Sequence, residues 1–189
     1  MFFFAWKRFL KKPARKGFLL GEILLAVFVL AVGLTSIIAI IGNSLQYSLE
    51  SQNIIVASQL AQEGIELVRN VRDNDFATGG TGFAAFSGSK HCRIDYNNST
   101  TNLNCNSSLG SAARYTLTYS GGFYQHQESS QERFSRYVYI NYSASDYGKA
   151  TVRSFVYWGT FIPLSSGEVT GCTAGNRCVF NEVDLRGWK

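Results

Sequence analysis

Proline is scarce in this chain of 189 residues, which contains only Pro13 and Pro163. Neither lies within residues 18–76, and proline is the residue that most strongly disrupts a helix interior. The sequence therefore allows one uninterrupted helix over this range. We expect its first half, residues 18–42, to be apolar and its second half, residues 43–76, to be amphipathic.

Charge is nearly missing from the apolar half of this helix. Its sequence, FLLGEILLAVFVLAVGLTSIIAIIG, contains one ionisable side chain, that of Glu22. The stretch from Ile23 to Gly42 would be about 30 Å long as a helix, which is enough to cross the hydrocarbon core of a bilayer. A carboxylate at membrane depth costs roughly 2.5–3.5 kcal/mol. Glu22 is therefore a candidate functional residue.

Acidic residues are absent from the first 17 positions. This segment contains six basic residues, Lys7, Arg8, Lys11, Lys12, Arg15 and Lys16. Basic residues beside a membrane span stay on the cytoplasmic side, so we expect the C-terminal part to be exported. Six of the 18 basic residues and none of the 13 acidic ones lie here, so the remaining chain has 12 basic and 13 acidic residues. That balance gives no support to a nucleic-acid-binding surface.

The basic and apolar segments have three interpretations. A secretory signal peptide has an apolar core of about 7–15 residues with small residues at its cleavage site, whereas this run is longer and continues as NSLQYSLESQN. A simple signal anchor would leave Glu22 unexplained unless its carboxylate reaches the lipid headgroups. Cleavage after Gly17 would instead free the amine of Phe18, one helical turn from Glu22, to pair with the carboxylate of a neighbouring copy.

Residues 15–22, RKGFLLGE, resemble the prepilin processing signal of type IV pilins and type II secretion pseudopilins, and the similarity extends to about residue 76. The resemblance implies cleavage by prepilin peptidase between Gly17 and Phe18, followed by N-methylation of Phe18. It also implies that Glu22 recognises the amine of a neighbouring Phe18 during assembly. The commonest family form has Thr, Leu and Ile at positions 19–21, where this chain has Leu, Leu and Gly.

The resemblance also implies a fold, partners and a location. The fold would be pilin-like and of the α+β class, with a long N-terminal helix packed on a small antiparallel β-sheet. Residues 1–17 would be a cytoplasmic leader that is removed. The partners would be other pilin or pseudopilin subunits in a hetero-filament, prepilin peptidase, the inner-membrane assembly platform and the lipid bilayer. The precursor would lie in the inner (cytoplasmic) membrane with an exported head, and the mature subunit in a periplasmic or cell-surface filament.

Histidine is almost absent as well, since the chain contains only His91 and His126, and it has no C-x-x-C motif. These absences leave little material for a metal site or a catalytic triad. We expect no cofactor, no metal and no enzymatic activity.

The four cysteines all follow the apolar segment. An even number of cysteines in an exported domain favours disulfides. Three pairings are possible, and we expect the two local pairs, Cys92–Cys105 and Cys172–Cys178.

The amphipathic half of the helix has apolar residues at helical spacing. The stripe consists of Leu45, Leu49, Val56, Leu60, Gly64, Leu67 and Val71, widened by Ile54, Ile55, Ile65 and Val68. Charged residues near its end are Glu63, Glu66, Arg69, Arg72 and Asp73. We interpret these as solvated i,i+3 ion pairs and not as an acid–base site.

The remainder of the chain predicts a connection and then a sheet. Residues 77–113 are rich in Gly, Ser, Asn and Thr, which predicts a long connecting loop held by the first cysteine pair. Residues 114–189 predict an antiparallel sheet and a disulfide-tied tail. Residues 114–119 alternate as a strand, and residues 136–142 and 151–158 flank a turn-rich stretch, which is typical of a hairpin. The residues expected to cover the helix are Val138, Ile140 and Tyr142, and Val152, Val156 and Trp158.

These features favour a structural minor pilin or pseudopilin subunit whose task is assembly. The alternative within the same machinery is a DNA-binding pseudopilin for DNA uptake, which would need a basic stripe on the folded head. An exported enzyme on a membrane anchor is a third class. The sequence contains no Ser/His/Asp set or metal cluster that supports it.

Overall fold

The computed structural model describes residues 19–83, 86, 88–96, 104–110, 112–127, 132–143, 148–159 and 170–187. The chain divides into two units, Met1–Leu49 and Glu50–Lys189. The described part of the first unit is helical throughout. We call the second unit the head; it contains the end of the same helix and a β-sheet.

Helix α1 spans Leu19–Ala77, 59 residues without a break. This confirms the long helix expected from the absence of proline. The helix ends where Gly79 adopts a φ of 84°, a conformation that suits glycine. The backbone N–H of Gly79 donates to the carbonyl of Phe76, and that of Gly80 donates to the carbonyl of Asp75. The Asp75 carboxylate also accepts from Gly82 N at 2.6 Å, which fixes the chain as it leaves the helix.

The described residues form seven antiparallel strands in one sheet. They are β1 Gly88–Arg93, β2 Asn104–Asn106, β3 Thr116–Ser120, β4 Phe123–His126, β5 Phe134–Ser143, β6 Lys149–Trp158 and β7 Cys178–Arg186. Strand β5 is central: one of its edges pairs with β6 along its whole length. Its other edge is shared end to end by β1 and β3. Strand β2 extends the sheet beyond β1, β4 beyond β3, and β7 beyond β6.

The expected hairpin is confirmed. Strands β5 and β6 pair from Phe134–Trp158 to Ser143–Lys149, so they are longer than the alternation alone indicates. An α-helix packed on an antiparallel sheet places the protein in the α+β class.

The expectation of a connecting loop over residues 77–113 is wrong in its middle. Strands β1 and β2 lie there, and β1 pairs with β5 through Cys92 and Val138. The sequence of β1, GSKHCR, has little apolar alternation, because its strand conformation depends on pairing with a distant strand. Local composition therefore favoured a loop where tertiary contacts form a strand.

The predicted stripe is confirmed at Leu60, Gly64, Ile65, Val68 and Val71, which are buried against the sheet together with Ala57 and Ala61. It is wrong at Leu45, Leu49 and Ile55, which are exposed, with 61%, 56% and 58% of their surface accessible. The sheet covers only the part of the helix that belongs to the head, and small residues line that face. A Cβ added to Gly64 would lie 3.0 Å from Ser154 Cβ, so this glycine permits the close approach of helix and strand.

A second core lies on the other side of the sheet. Its buried residues are Tyr115, Tyr137, Phe155, Tyr157, Cys172 and Cys178. Because side chains alternate along a strand, Tyr137 and Val138 face opposite sides of the sheet. The segment containing the second disulfide covers this face, so β5 and β6 are buried on both sides. The alternation of apolar residues predicted only the side that faces the helix.

Candidate functional site

The predicted processing junction, Gly17 and Phe18, lies outside the described residues. Glu22 lies in the first turn of α1, and its side chain is exposed. Negative charge is favourable at this position because the first N–H groups of a helix give it a partial positive charge. The helix therefore begins with a carboxylate at its positively polarised end.

The surface around Glu22 is apolar on every side of the helix. The exposed large side chains of this segment include Ile23, Leu24, Leu25, Val27, Phe28, Val29, Leu30, Val32, Leu34, Ile37, Ile38, Ile40 and Ile41. By length and composition this helix can cross a membrane. The hydroxyls of Thr35 and Ser36 donate to the carbonyl of Val32 at 2.9 Å, so these polar groups are satisfied within the helix. A helix that is apolar all round needs lipid or other helices around it.

The two disulfides of the head form as predicted. Cys92 is bonded to Cys105 across the paired strands β1 and β2. Cys172 is bonded to Cys178 at the start of β7. The first bond ties the outer strand to the sheet, and the second ties the segment over the second core.

A buried arginine connects the helix with the sheet. Arg136 is fully buried, and its guanidinium donates to the carbonyl of Leu60 at 3.3 Å and to that of Ile94 at 3.0 Å. Arg136 Nη1 also lies 3.1 Å from the carboxylate of Glu63 on the helix. Glu63 therefore belongs to a contact between helix and sheet, and the prediction of an i,i+3 surface pair is wrong for this residue. The pair expected of Glu66 and Arg69 is present at 2.8 Å.

The buried position of Arg136 was not predicted, because a charged residue in a strand is usually expected to face water. The signal that could have found it is the alternation itself. Arg136 has the same parity as Val138 and Ile140, which were predicted to face the helix.

A histidine fills the gap on the edge of β5 between β1 and β3. The ring nitrogens of His126 lie 2.7 Å from Asp95 Oδ1 and 2.8 Å from the carbonyl oxygen of Arg136. The backbone N–H of His126 also donates to Asp95 at 3.0 Å. Burial lowers the pKa of His126, and the nearby Arg136 charge lowers it further, while Asp95 opposes both effects. Burial raises the pKa of Asp95, but the interactions with His126 and the charge of Arg136 together outweigh it, so the pKa lies below its ordinary value.

The buried side chains of Arg136 and His126 are thus bound to groups on the helix, on β5 and on the segment that follows β1. Within the described parts of the chain, no group of three His, Cys, Asp or Glu side chains is placed to hold a metal ion. The feature with the clearest chemical consequence is therefore the apolar helix with its single early carboxylate.

No protein-family model, curated protein or solved structure matches this chain.

Proposed function

We propose that this chain is a structural minor pilin or pseudopilin subunit that assembles into a type IV pilus or a type II secretion-type filament. Prepilin peptidase cleaves it between Gly17 and Phe18, and the new N terminus at Phe18 is methylated. The observation that carries the proposal is the exposed apolar helix, which continues into an α+β head and has Glu22 as its only early carboxylate.

Glu22 is surrounded by lipid when the apolar helix lies in a membrane. In lipid, its charge is unfavourable by a few kcal/mol, and a cation nearby offsets that penalty. Cleavage after Gly17 creates such a cation, because it leaves an α-ammonium on Phe18. In a bundle of identical helices, the ammonium of one copy pairs with the carboxylate of another, which neutralises both and sets the axial register.

Each part of the chain has a role either in the membrane-bound precursor or in the assembled filament. The precursor lies in the inner (cytoplasmic) membrane with its basic leader in the cytoplasm and its head exported. The assembly platform then transfers the mature subunit into a hetero-filament, where the apolar helix packs against those of neighbouring subunits. Both disulfides of the head support export, because such bonds persist in oxidising compartments.

The test compares Glu22→Ala, Glu22→Gln and wild type for membrane insertion and for recovery in sheared filaments. We expect both variants to insert normally, because each removes an unfavourable charge from the span. We also expect both to be depleted from filaments, since neither can pair with an ammonium. Wild-type incorporation of both variants would contradict the role proposed for Glu22.

A further inference from the structure

Exposed aromatic side chains of the head are gathered in one place. Tyr96, Tyr119 and Phe123 are 58%, 64% and 56% exposed, and we call these three residues the aromatic patch. The ring centroids of Tyr96 and Phe123 are 5.1 Å apart. Strands β3 and β4 meet at Gly121 and Gly122, where an added Cβ would find no atom within 4 Å. The turn beside the patch therefore projects into open space.

The patch lies at the end of the head that contains Glu50, the first residue of this unit. Leu117 of β3 and Trp158 of β6 both pair with Phe134, the first residue of β5. Strand β3 continues beyond this point to Ser120, so the hairpin extends past the start of β5. Trp158 Nε1 donates to the carboxylate of Glu50, the first residue of the head, at 3.0 Å. We call this end of the sheet the proximal end.

Two exposed arginines occupy the proximal end as well. The backbone of Arg133 accepts from Gly159 N at 3.2 Å, and that of Arg177 accepts from Trp158 N at 3.1 Å. Both side chains are exposed, and the Arg133 guanidinium lies 5.7 Å from the ring centroid of Phe134.

The acidic groups described at this end are engaged within the head. Glu50 accepts from Trp158, Glu132 accepts from Thr118 Oγ1 at 3.1 Å, and Asp95 is bound to His126. The proximal end therefore combines accessible aromatic rings with accessible positive charge.

We propose that the aromatic patch, with Arg133 and Arg177, is a surface that binds the lipid headgroups of the membrane in which the apolar helix is anchored. This inference rests on the membrane insertion contained in the proposed function. Aromatic side chains with a polar tip favour the membrane–water interface, and arginine binds anionic phosphate. The same bilayer therefore contacts the chain twice, through the helix and through the head.

The short chain segment between the apolar run and the head keeps the lipid headgroups within reach of the head. Glu50 lies only eight positions after Gly42, the last residue of the apolar run. Eight residues span at most about 29 Å in any conformation. A head tethered so closely to a bilayer experiences a high local concentration of headgroups, so even a weak surface is occupied.

The test uses the full chain in vesicles of phosphatidylcholine, with or without phosphatidylglycerol. One lipid probe carries a photoreactive group in the headgroup and another carries it in the acyl chain, and the labelled peptides are mapped by mass spectrometry. We expect the acyl-chain probe to label residues 23–42 and the headgroup probe to label residues 116–127.

Three variants give this test its controls. Tyr119→Ser combined with Phe123→Ser should lose most headgroup labelling of residues 116–127 and keep the labelling of 23–42. Arg133→Gln combined with Arg177→Gln should lose about five-fold per arginine in vesicles with phosphatidylglycerol, and little in phosphatidylcholine alone. Arg186→Gln is the matched control. This arginine is exposed and lies opposite Lys149 in the register of β6 and β7, at the other end of the sheet. It should label like wild type.

Three results would overturn the inference. Labelling of 23–42 without labelling of 116–127 would show that the helix inserts while the head avoids the bilayer. Cross-linking of the patch to a second copy in place of lipid would assign it to contacts between subunits. Absence of labelling at 23–42 would remove the membrane span itself, and the proposed function would fall with it.

Discussion

The guanidinium of Arg136 on strand β5 lies 3.1 Å from the carboxylate of Glu63 on helix α1. Arg136 is fully buried, whereas the side chain of Glu63 keeps 42% of its surface exposed. Removing Arg136 therefore has a different consequence for Glu63 than removing Glu63 has for Arg136. Glu63 can turn to water, but Arg136 would remain charged inside the head.

This asymmetry predicts the stability of variants at the pair. We expect Glu63→Gln to lower the free energy of unfolding by about 1–3 kcal/mol, because it leaves a buried cation without its counter-charge. Adding Arg136→Met should recover part of that loss, since an apolar side chain of similar length replaces the cation. Urea unfolding of the full chain in micelles measures both. A double variant no more stable than Glu63→Gln would show that the buried charge is not the cause.

Gly64 should not tolerate even a methyl group. Alanine raises helix propensity by about 1 kcal/mol over glycine, but here its Cβ would lie 3.0 Å from Ser154 Cβ and 3.2 Å from Arg136 Cδ. We expect Gly64→Ala to destabilise the head by about 1–3 kcal/mol through overpacking. Gly42→Ala is the control, because nothing lies within 4 Å of its added Cβ. Thermal unfolding that is unchanged in Gly64→Ala would mean that helix and strand approach less closely.

The head should lose stability in mild acid. His91 is 5% exposed, and burial lowers its pKa from the ordinary value of 6.5. Its ring lies 5.1 Å from the ring of Tyr139. Below about pH 6.5 the unfolded chain binds a proton that folded His91 does not. The contribution of His91 to the free energy of unfolding is therefore fully present above that pH. It decreases as the pH drops and levels off below the pKa of the folded state.

The variant His91→Phe isolates this contribution to the pH dependence. It removes the titrating group and keeps a planar ring beside Tyr139. We expect the loss of stability between pH 7.5 and pH 5 to be smaller in the variant than in wild type, by up to about 1.4 kcal/mol for each pH unit in which the states differ by one proton. Denaturant midpoints at both values measure it. Equal losses in the two proteins would assign the acid sensitivity to His126 or to the carboxylates.

The two disulfides should contribute unequally to stability. Their cysteines are separated by 13 and 6 positions, so the first bond closes the longer loop. In the chain-entropy model these loops correspond to about 3 and about 2.4 kcal/mol. We therefore expect Cys92→Ser with Cys105→Ser to unfold more easily than Cys172→Ser with Cys178→Ser. The opposite order in urea would show that covering the second core matters more than closing the loop.

Local patterns predicted the elements whose formation depends on neighbours in sequence. Residues 19–77 form a helix because nothing in this stretch breaks one, and β5 and β6 follow from alternation around a turn-rich stretch. Strand β1 was not predicted, because its apolar content is low and its conformation depends on pairing with β5. The ion pair of Glu63 was missed for a similar reason: its partner, Arg136, is distant in sequence, whereas Arg69 is near.

The candidate functional residues likewise include one that local sequence predicted and others that depend on tertiary structure. Glu22 was identified because one carboxylate in an apolar run is a local anomaly that needs no structure to detect. The aromatic patch was not identified, although residues 114–119 were predicted as a strand. Tyr119 continues the alternation of Tyr115 and Leu117, which are buried, but β3 extends past the end of β5, so Tyr119 is exposed. The relative lengths of paired strands decide its exposure.

The intact mass and N-terminal sequence of the protein recovered from its own membranes test the central claim most directly. The account predicts a mature chain that begins at Phe18 and carries one N-methyl group, so that its ammonium is available to the Glu22 carboxylate of a neighbouring copy. A chain that retains residues 1–17, or one cut after Gly42, would contradict it.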